Sequence, residues 1–373
     1  MKGYFRKRGT KWSFTVDLGQ DDQGKRKQKT VSGFKTKKEA EKACMDLISQ
    51  VEKGDYTEPS KVTVGEFFED WKLTVAKQAL KTTTFETYSI IMDTHIIPMI
   101  GEKQIQKVTP IQIQRLYTQK TEEGLSSASI RKIHHVLSSS FKYAKKWGLI
   151  QKNPIEEAEP PKLTTKERPI WTIDEATRFL SSTEKEPLYI AYLLAIFTGM
   201  RMGEILGLRW QAVDFENKAL SIQQSLAKTK NGLIFQEPKS KGSKRLISIT
   251  DDVVQALKKH KLEQSKQKLQ LGMSYEYFDL VVCTSLGTPM IPENLRRHYN
   301  RMISECGIKK IRFHDLRHTH ASIMLQLGEH PKVVSERLGH SRTSVTLDIY
   351  SHVIPGIQEK AAENFSHALS KKG

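Results

Sequence analysis

Near its carboxyl end the sequence carries side chains whose types and spacing suit chemistry on a phosphate group. His314 and Arg317 lie three positions apart, so on a helix they share one face and can point at one target. Arginine presents a planar fork of donors that fits phosphate oxygens, and histidine can move a proton near neutral pH. His340 and Tyr350 follow within the same stretch, and a tyrosine can form a covalent intermediate. The stretch therefore predicts phosphate chemistry with a tyrosine nucleophile.

The sequence also indicates how such a reaction would be stabilised. Attack on phosphorus builds negative charge on the non-bridging oxygens, and cations or hydrogen-bond donors must stabilise it. The sequence has no paired-carboxylate cluster suited to magnesium, so the arginines have to neutralise that charge. His314, His318 and His320 could ligate zinc, but no fourth ligand lies at a known spacing. We therefore expect a reaction without metal or cofactor.

Three separated segments resemble the tyrosine recombinases, the integrases of phages and conjugative elements. They are TGMRMGEILGLRW (198–210), HDLRHTHAS (314–322) and LGHSRTSVTLDIYSH (338–352). Three segments in the right order are far more specific than one short motif. The resemblance covers residues 62–365 well and the first sixty residues more loosely. It implies an ATP-independent site-specific DNA recombinase that forms a 3′-phosphotyrosine bond, leaves a free 5′-hydroxyl, and exchanges strands through a Holliday junction.

The resemblance also implies a role for each matching residue. Arg201 and Arg317 would be the two catalytic arginines that clamp the phosphate. His314 would donate to the phosphate or take the tyrosine proton, and His340 would hydrogen-bond the phosphate. Tyr350 would be the nucleophile; because a free phenol has a pKa of about 10, neighbouring cations and a base would have to assist its ionisation.

The leaving 5′-oxygen needs a proton, which the family takes from a lysine on a β-hairpin turn. Lys239, Lys241 and Lys244 all fall on the corresponding turn of this sequence. Alignment of the following strand, residues 245–249, favours Lys241, with Lys239 as the alternative.

Other interpretations of these residues remain open at this point. Arg201 could instead form a structural salt bridge to Glu204 or Glu237, and Glu204 is expected to buttress the arginine loop rather than touch DNA. Tyr350 could be a buried core tyrosine. Its nearest rival as nucleophile, Tyr299, lies outside every matching segment.

Composition is consistent with a polyanionic partner. The 373 residues include 60 lysines and arginines against 42 acidic residues, a net charge of +18. Such a field attracts nucleic acid, although a merely lysine-rich protein would look the same. The cysteines, Cys44, Cys283 and Cys306, are scattered, which favours a reducing cytoplasm. No apolar run reaches membrane-spanning length, and no signal peptide begins at Met1, so no membrane partner is expected.

Local patterns predict a multidomain chain, mainly α with small β-sheets. Residues 1–55 alternate as short basic strands and then turn helical, which predicts a three-stranded sheet backed by a helix. Residues 62–150 show helical periodicity, and residues 168–373 mix helices with strands. The resemblance implies an arm-type DNA-binding domain, a SAM-like core-binding domain, and a mixed α/β catalytic domain that ends in a tail helix.

Capping signals place the helix starts in this arrangement. Ser or Thr followed three residues later by Glu is a capping box, and it occurs at Thr36, Thr63, Thr83 and Thr172. In the third domain LSIQQSLA, GLIFQEP and KRLISI read as a small antiparallel sheet, with the lysine-bearing turn between the last two segments.

The expected partners are double-stranded DNA, at core and arm-type sites, and further copies of the chain in a tetramer. An excisionase, a host DNA-bending factor and association with the bacterial nucleoid are also compatible with the resemblance. Three alternatives are a type IB topoisomerase, a DNA-binding regulator without catalysis, and a metal-dependent nuclease. The sequence does not say whether the tail helix packs on its own domain or on a neighbouring subunit.

Overall fold

A computed structural model describes most of the chain, which forms two compact units, Met1–Thr165 and Lys166–Gly373. The described residues are 3–20, 24–52, 56, 59–163, 169–237, 244–340, 362, 363, 365, 366 and 369. Lys239, Lys241 and Tyr350 lie outside them. None of the helices within these ranges combines the length and the hydropathy that a membrane span requires.

The first unit begins with an antiparallel sheet of three strands in the order β1-β2-β3, as expected. The strands are β1 (Gly3–Arg8), β2 (Lys11–Gln20) and β3 (Arg26–Phe34), and helix α1 (Lys37–Glu52) follows. Alternate strand residues face α1, so Phe14 and Val16 are buried with Cys44. The Thr36 side chain accepts from the backbone N–H of Glu39 at 3.2 Å, which confirms the predicted helix start.

The rest of the first unit is a helical bundle with its own apolar core. Aromatic side chains dominate that core, where Phe67, Phe68 and Trp71 pack with Phe141. Its helices are α2 (Val64–Trp71), α3 (Lys77–Ala79), α4 (Thr82–Ile91), α5 (Ile97–Ile100), α6 (Pro110–Glu122) and α7 (Ser127–Lys146).

Two features of this bundle differ from the sequence expectation. The predicted helix start at Thr83 is wrong: α4 starts at Thr82, with Lys81 as the N-cap. Of the three consecutive threonines only Thr83 has a glutamate three residues later, yet the helix starts before it and has no side-chain cap, so the capping pattern alone did not locate the start. Two π-helical turns, Lys72–Ala76 after α2 and Met92–Ile96 after α4, were also not foreseen.

The second unit is built around α9 (Tyr189–Thr198), whose residues are nearly all buried. A helix that is apolar all round belongs in the centre of a core. The surrounding helices are α8 (Ile173–Thr183), α10 (Met202–Leu206), α11 (Asp251–Leu271), α12 (Pro292–Cys306), α13 (Asp315–Gln326) and α14 (Pro331–Leu338). The Thr172 capping box at the start of α8 is present.

The sequence predicted one small sheet of three successive segments, but the strands of this unit form two separate sheets. They are β4 (Val213–Asp214), β5 (Ala219–Ile222), β6 (Ser225–Thr229), β7 (Gly232–Gln236) and β8 (Arg245–Ser248). One sheet has the order β4-β5-β8, and β6 pairs with β7 alone. The run 219–229 therefore pairs first with β8 and then with β7, and the lysine-bearing segment connects two strands that do not pair with each other.

Candidate active site

The first arginine loop depends on a glycine at the end of α9. Gly199 has a φ of +63°, a left-handed conformation that favours glycine. A Cβ there would come within 2.6 Å of the Leu338 side chain and 2.7 Å of the His320 ring. The chain then turns sharply, and Arg201 lies in extended conformation directly before α10.

Glu204 holds this loop from inside the protein. It is 3% exposed, and its carboxylate accepts from the Arg201 backbone N–H at 3.0 Å and from Arg201 Nη1 at 2.7 Å. Burial raises the pKa of this carboxyl, but hydrogen bonds and charge from Arg245 and Arg201 outweigh burial and leave the pKa below its usual range. The structural ion pair considered for Arg201 is therefore present, yet the Arg201 side chain remains 38% exposed. Its other donors can still reach a ligand.

Arg317 lies in the first turn of α13. Its side chain is buried, and its Nη1 donates to the carbonyl of Gly199 at 2.8 Å. Arg201 Nη2 donates to the carbonyl of Gly339 at 3.3 Å, directly before His340. Backbone carbonyls thus fix both guanidinium groups, that of Arg317 at the turn after α9 and that of Arg201 at the end of α14.

The two candidate histidines are held neutral in this arrangement. Desolvation, and then the positive charge of Arg317, lowers the pKa of His314, which stands at the start of α13. Desolvation, followed by Arg317 and Arg201, lowers the pKa of His340 to about 4. Neutral imidazoles can donate an N–H to a phosphate oxygen or accept a proton. His314 precedes the helix that carries Arg317, Arg317 bonds the turn that leads to Arg201, and Arg201 bonds the carbonyl next to His340, so the structure brings these four residues together.

His320, considered above as part of a zinc cluster, is fully engaged elsewhere. Its Nδ1 lies 2.8 Å from the carbonyl of Ile196, and its Nε2 lies 3.2 Å from Nε of Arg337. A carbonyl only accepts and an arginine only donates, so the proton must be on Nδ1. No group of three or more His, Cys, Asp or Glu side chains within the described part of the chain is arranged to hold a metal.

Two further residues near the site, Asp315 and the rival nucleophile Tyr299, have structural roles. Asp315 accepts from Arg312 Nε at 2.9 Å and Nη2 at 2.8 Å, so it holds a neighbour in place. Tyr299 is 0% exposed among Trp171, Phe179 and other rings, and burial raises the pKa of its hydroxyl. Tyr299 is therefore a core residue, unsuited to attack on DNA.

Two arginines of the site were missed by sequence reasoning. Arg245 forms a buried ion pair with Glu204, Nη2 to Oε2 at 2.9 Å, and Arg337 binds His320. Arg245 could have been noticed because it alternates in phase with the buried Ile247 of β8. Arg337 carries no such signal, since an arginine in the last turn of a helix is common.

Comparison with protein families assigns all three regions of the chain. The Phage integrase family model matches residues 171–355, and the Arm DNA-binding domain model matches residues 4–51. A model described as Phage integrase, N-terminal SAM-like domain matches residues 63–120.

Individual proteins agree with this assignment. The Tyrosine recombinase XerC-like protein of Caldanaerobacter subterraneus subsp. tengcongensis is 32% identical over 372 residues, 94% of this chain and 95% of the relative. The Tn1549 transposon integrase bound to transposon right end DNA has the same fold, with a TM-score of 0.71 at 21% identity over 82% of this chain and 99% of that one. A lambda integrase tetramer bound to a Holliday junction has a TM-score of 0.57 at 17% identity, over 91% of this chain and 92% of that chain. The chain therefore belongs to the tyrosine recombinases, the integrase enzymes that carry out site-specific DNA recombination.

Proposed function

We propose that this integrase integrates or excises a mobile element by cutting DNA with Tyr350 and rejoining it through a covalent 3′-phosphotyrosine intermediate. The observation that carries the proposal is the convergence of Arg201 and Arg317 beside His314 and His340. A scissile phosphate bound there meets two guanidinium groups whose positions are fixed before it arrives.

Charge neutralisation is the work of the two arginines in this proposal. The pentavalent transition state carries more negative charge on its non-bridging oxygens than the ground state, so fixed cations stabilise it preferentially. His340 donates a hydrogen bond to a non-bridging oxygen, and His314 donates to the phosphate or takes the phenolic proton of Tyr350.

Bond making and breaking then follow in order. The phenolate of Tyr350 attacks phosphorus, the bond to the 5′-oxygen breaks, and Lys241 gives the leaving oxygen a proton, with Lys239 as the alternative donor. The phosphotyrosine linkage keeps the bond energy of the phosphodiester, so a 5′-hydroxyl from another strand can reverse the step without ATP, metal or cofactor.

We assign DNA contacts to three domains, with boundaries at 1–55, 62–150 and 168–373. The first would bind arm-type sites, the second would bind the core site, and the third would perform catalysis and end in a tail helix. The three family-model matches support this division. The net charge of +18 is suited to double-stranded DNA, and the lambda integrase tetramer supports assembly of four copies around a Holliday junction. The enzyme would act in the bacterial cytoplasm at the nucleoid, with an excisionase and a host DNA-bending factor as further partners.

A pair of matched tyrosine substitutions tests the nucleophile. Tyr350→Phe removes one hydroxyl, so we expect DNA binding to persist and covalent attachment to fall below detection when the protein is incubated with fragmented genomic DNA and then denatured. Tyr299→Phe makes the same chemical change at a buried hydroxyl that has no hydrogen-bond partner among the described residues, and it should attach normally. An adduct that survives in Tyr350→Phe would contradict the proposal, as would attachment that disappears on adding EDTA.

A further inference from the structure

The end of α9 is held by side chains from two other helices. The last carbonyls of an α-helix have no partner within the helix, and cations bind favourably there. The carbonyl of Ile196 accepts from His320 Nδ1 at 2.8 Å, and that of Phe197 accepts from Arg337 Nη2 at 2.9 Å. Arg317 holds the carbonyl of Gly199, two residues further along, as described above. The backbone that leads into Arg201 is therefore fixed by three side chains.

The Arg337 side chain donates hydrogen bonds to three different elements of the catalytic unit. Besides Phe197, its Nη1 donates to the carbonyl of Ser248 in β8 at 2.9 Å, and its Nε donates to His320 on α13 at 3.2 Å. Its own carbonyl accepts from Arg245 Nε at 2.7 Å. A single residue on α14 thus joins α9, α13 and β8.

The position of Arg337 in the chain gives these bonds a consequence for the site. Leu338 packs against Gly199, the carbonyl of Gly339 accepts from Arg201, and His340 comes next. A movement of α14 relative to α9 would therefore displace both the acceptor that orients Arg201 and the His340 ring. The carbonyl of Ser248 also ties α14 to the strand that follows Lys241 in sequence.

We propose that Arg337 is a positioning residue for recombination: it fixes the helix that delivers His340 against the loop that delivers Arg201. This inference rests on the phosphate-binding roles proposed for those two residues. Arginine is required because its planar fork serves three acceptors in different directions, whereas the single ammonium of lysine cannot. A displacement of about 1 Å in a catalytic group can cost about 100-fold in rate.

The first test is Arg337→Lys in the full chain, with Arg178→Lys, an exposed arginine on α8, as the matched control. The substrate is a nicked duplex selected from genomic fragments by covalent attachment to the wild-type protein. We expect single-turnover attachment at saturating DNA to slow about 100-fold in Arg337→Lys, with the Kd for DNA within about three-fold of wild type. The control should match wild type in both. An attachment rate within about three-fold of wild type would overturn the inference.

A second readout separates positioning from loss of folded protein. A duplex with a methylphosphonate at the scissile position carries no negative charge for Arg201 to neutralise. If Arg337 acts through that arginine, the difference in rate between wild type and Arg337→Lys should shrink at least ten-fold on this substrate. If the variant only lowers the fraction of folded enzyme, the difference will be the same on both substrates, and the inference is wrong.

Failure of the positioning role of Arg337 can be distinguished from failure of the proposed function. If the wild-type chain forms no covalent adduct, or Tyr350→Phe forms one, the proposed function fails whatever Arg337 does. If the wild type attaches through Tyr350 and Arg337→Lys attaches as fast, only the positioning role is refuted.

Discussion

The buried ion pair between Arg245 and Glu204 gives the sharpest prediction of stability. Both side chains are almost fully buried, at 6% and 4% exposure, and Nη1 and Nη2 of Arg245 lie 3.3 Å and 2.9 Å from the two carboxylate oxygens. Arg245→Met keeps the length and apolar volume of the side chain but removes the charge. It leaves the carboxylate buried with Arg201 as its remaining partner and frees the carbonyl of Arg337.

The magnitude follows from these contacts. Removing one partner of a buried pair costs about 3–5 kcal/mol, and the remaining contact to Arg201 places the ion-pair loss near the lower end of that range. The abandoned carbonyl adds about 1 kcal/mol. We therefore expect Arg245→Met to lower the free energy of unfolding of the catalytic unit by about 4 kcal/mol at pH 7.

The sign of the pH dependence is a second check on the same variant. In the wild type the pKa of Glu204 lies below the ordinary 4.5, so its stabilisation is present above pH 4.5 and is lost as pH falls through the folded-state pKa. Without Arg245 burial dominates and the folded-state pKa rises above 4.5, so the carboxylate destabilises the fold at neutral pH and less so in acid. The difference between variant and wild type should therefore shrink from pH 7 to pH 5.

Urea unfolding read by pulsed hydrogen exchange in peptides from α9 and α10 measures this unit alone. Arg296→Met is the matched control, because Arg296 pairs with Glu293 on the surface at 51% and 44% exposure and should change stability by less than about 1 kcal/mol. A loss below about 1 kcal/mol in Arg245→Met, or a loss equal at pH 5 and pH 7, would refute this account of the pair.

Two further predictions concern the end of α9. Gly199→Ala should destabilise the catalytic unit by more than about 2 kcal/mol in the same urea assay, because its φ is +63° and its Cβ would overlap Leu338 and His320. The control Gly307→Ala, also at positive φ but in open space, should cost about 1 kcal/mol. Equal losses in the two variants would contradict the role of the overlap. Desolvation, then Arg337, lowers the pKa of His320 from 6.5 to about 4, so its stabilisation is complete above pH 6.5 and is lost as pH falls towards 4. Between pH 6.5 and 5 the wild type should lose about 2 kcal/mol more stability than His320→Gln, whose amide does not titrate; parallel pH profiles would show that His320 is not held neutral.

Sequence reasoning succeeded where local chemistry decides the structure. A threonine three residues before a glutamate fixes a helix start through two nearby hydrogen bonds, and this predicted the starts at Thr36, Thr63 and Thr172. The core helix α9 is evident because nearly every side chain is apolar. The alternating strands of residues 1–35 likewise predicted the first sheet.

It failed where a partner distant in sequence decides the outcome. The pairing of β5 with β8 joins residues that about 25 positions separate, and strand periodicity does not encode which strands pair. The contact between Arg337 and Phe197 spans 140 positions, so nothing near Arg337 marks it. Assembly of the four described site residues, Arg201, His314, Arg317 and His340, was inferred through family resemblance rather than from spacing alone.

Residues 219–229 pair first with β8 and then with β7, and this arrangement affects how integrases of this architecture can diversify. Register is secured on both sides of the lysine-bearing connection, by Ile222 opposite Arg245 and by Ser225 opposite Gln236. Residues gained or lost between Glu237 and Lys244 therefore shift neither pairing. Evolution, or an engineer, can therefore alter the reach of Lys241, the proposed proton donor, by changing that connection alone, while the arginines stay where they are.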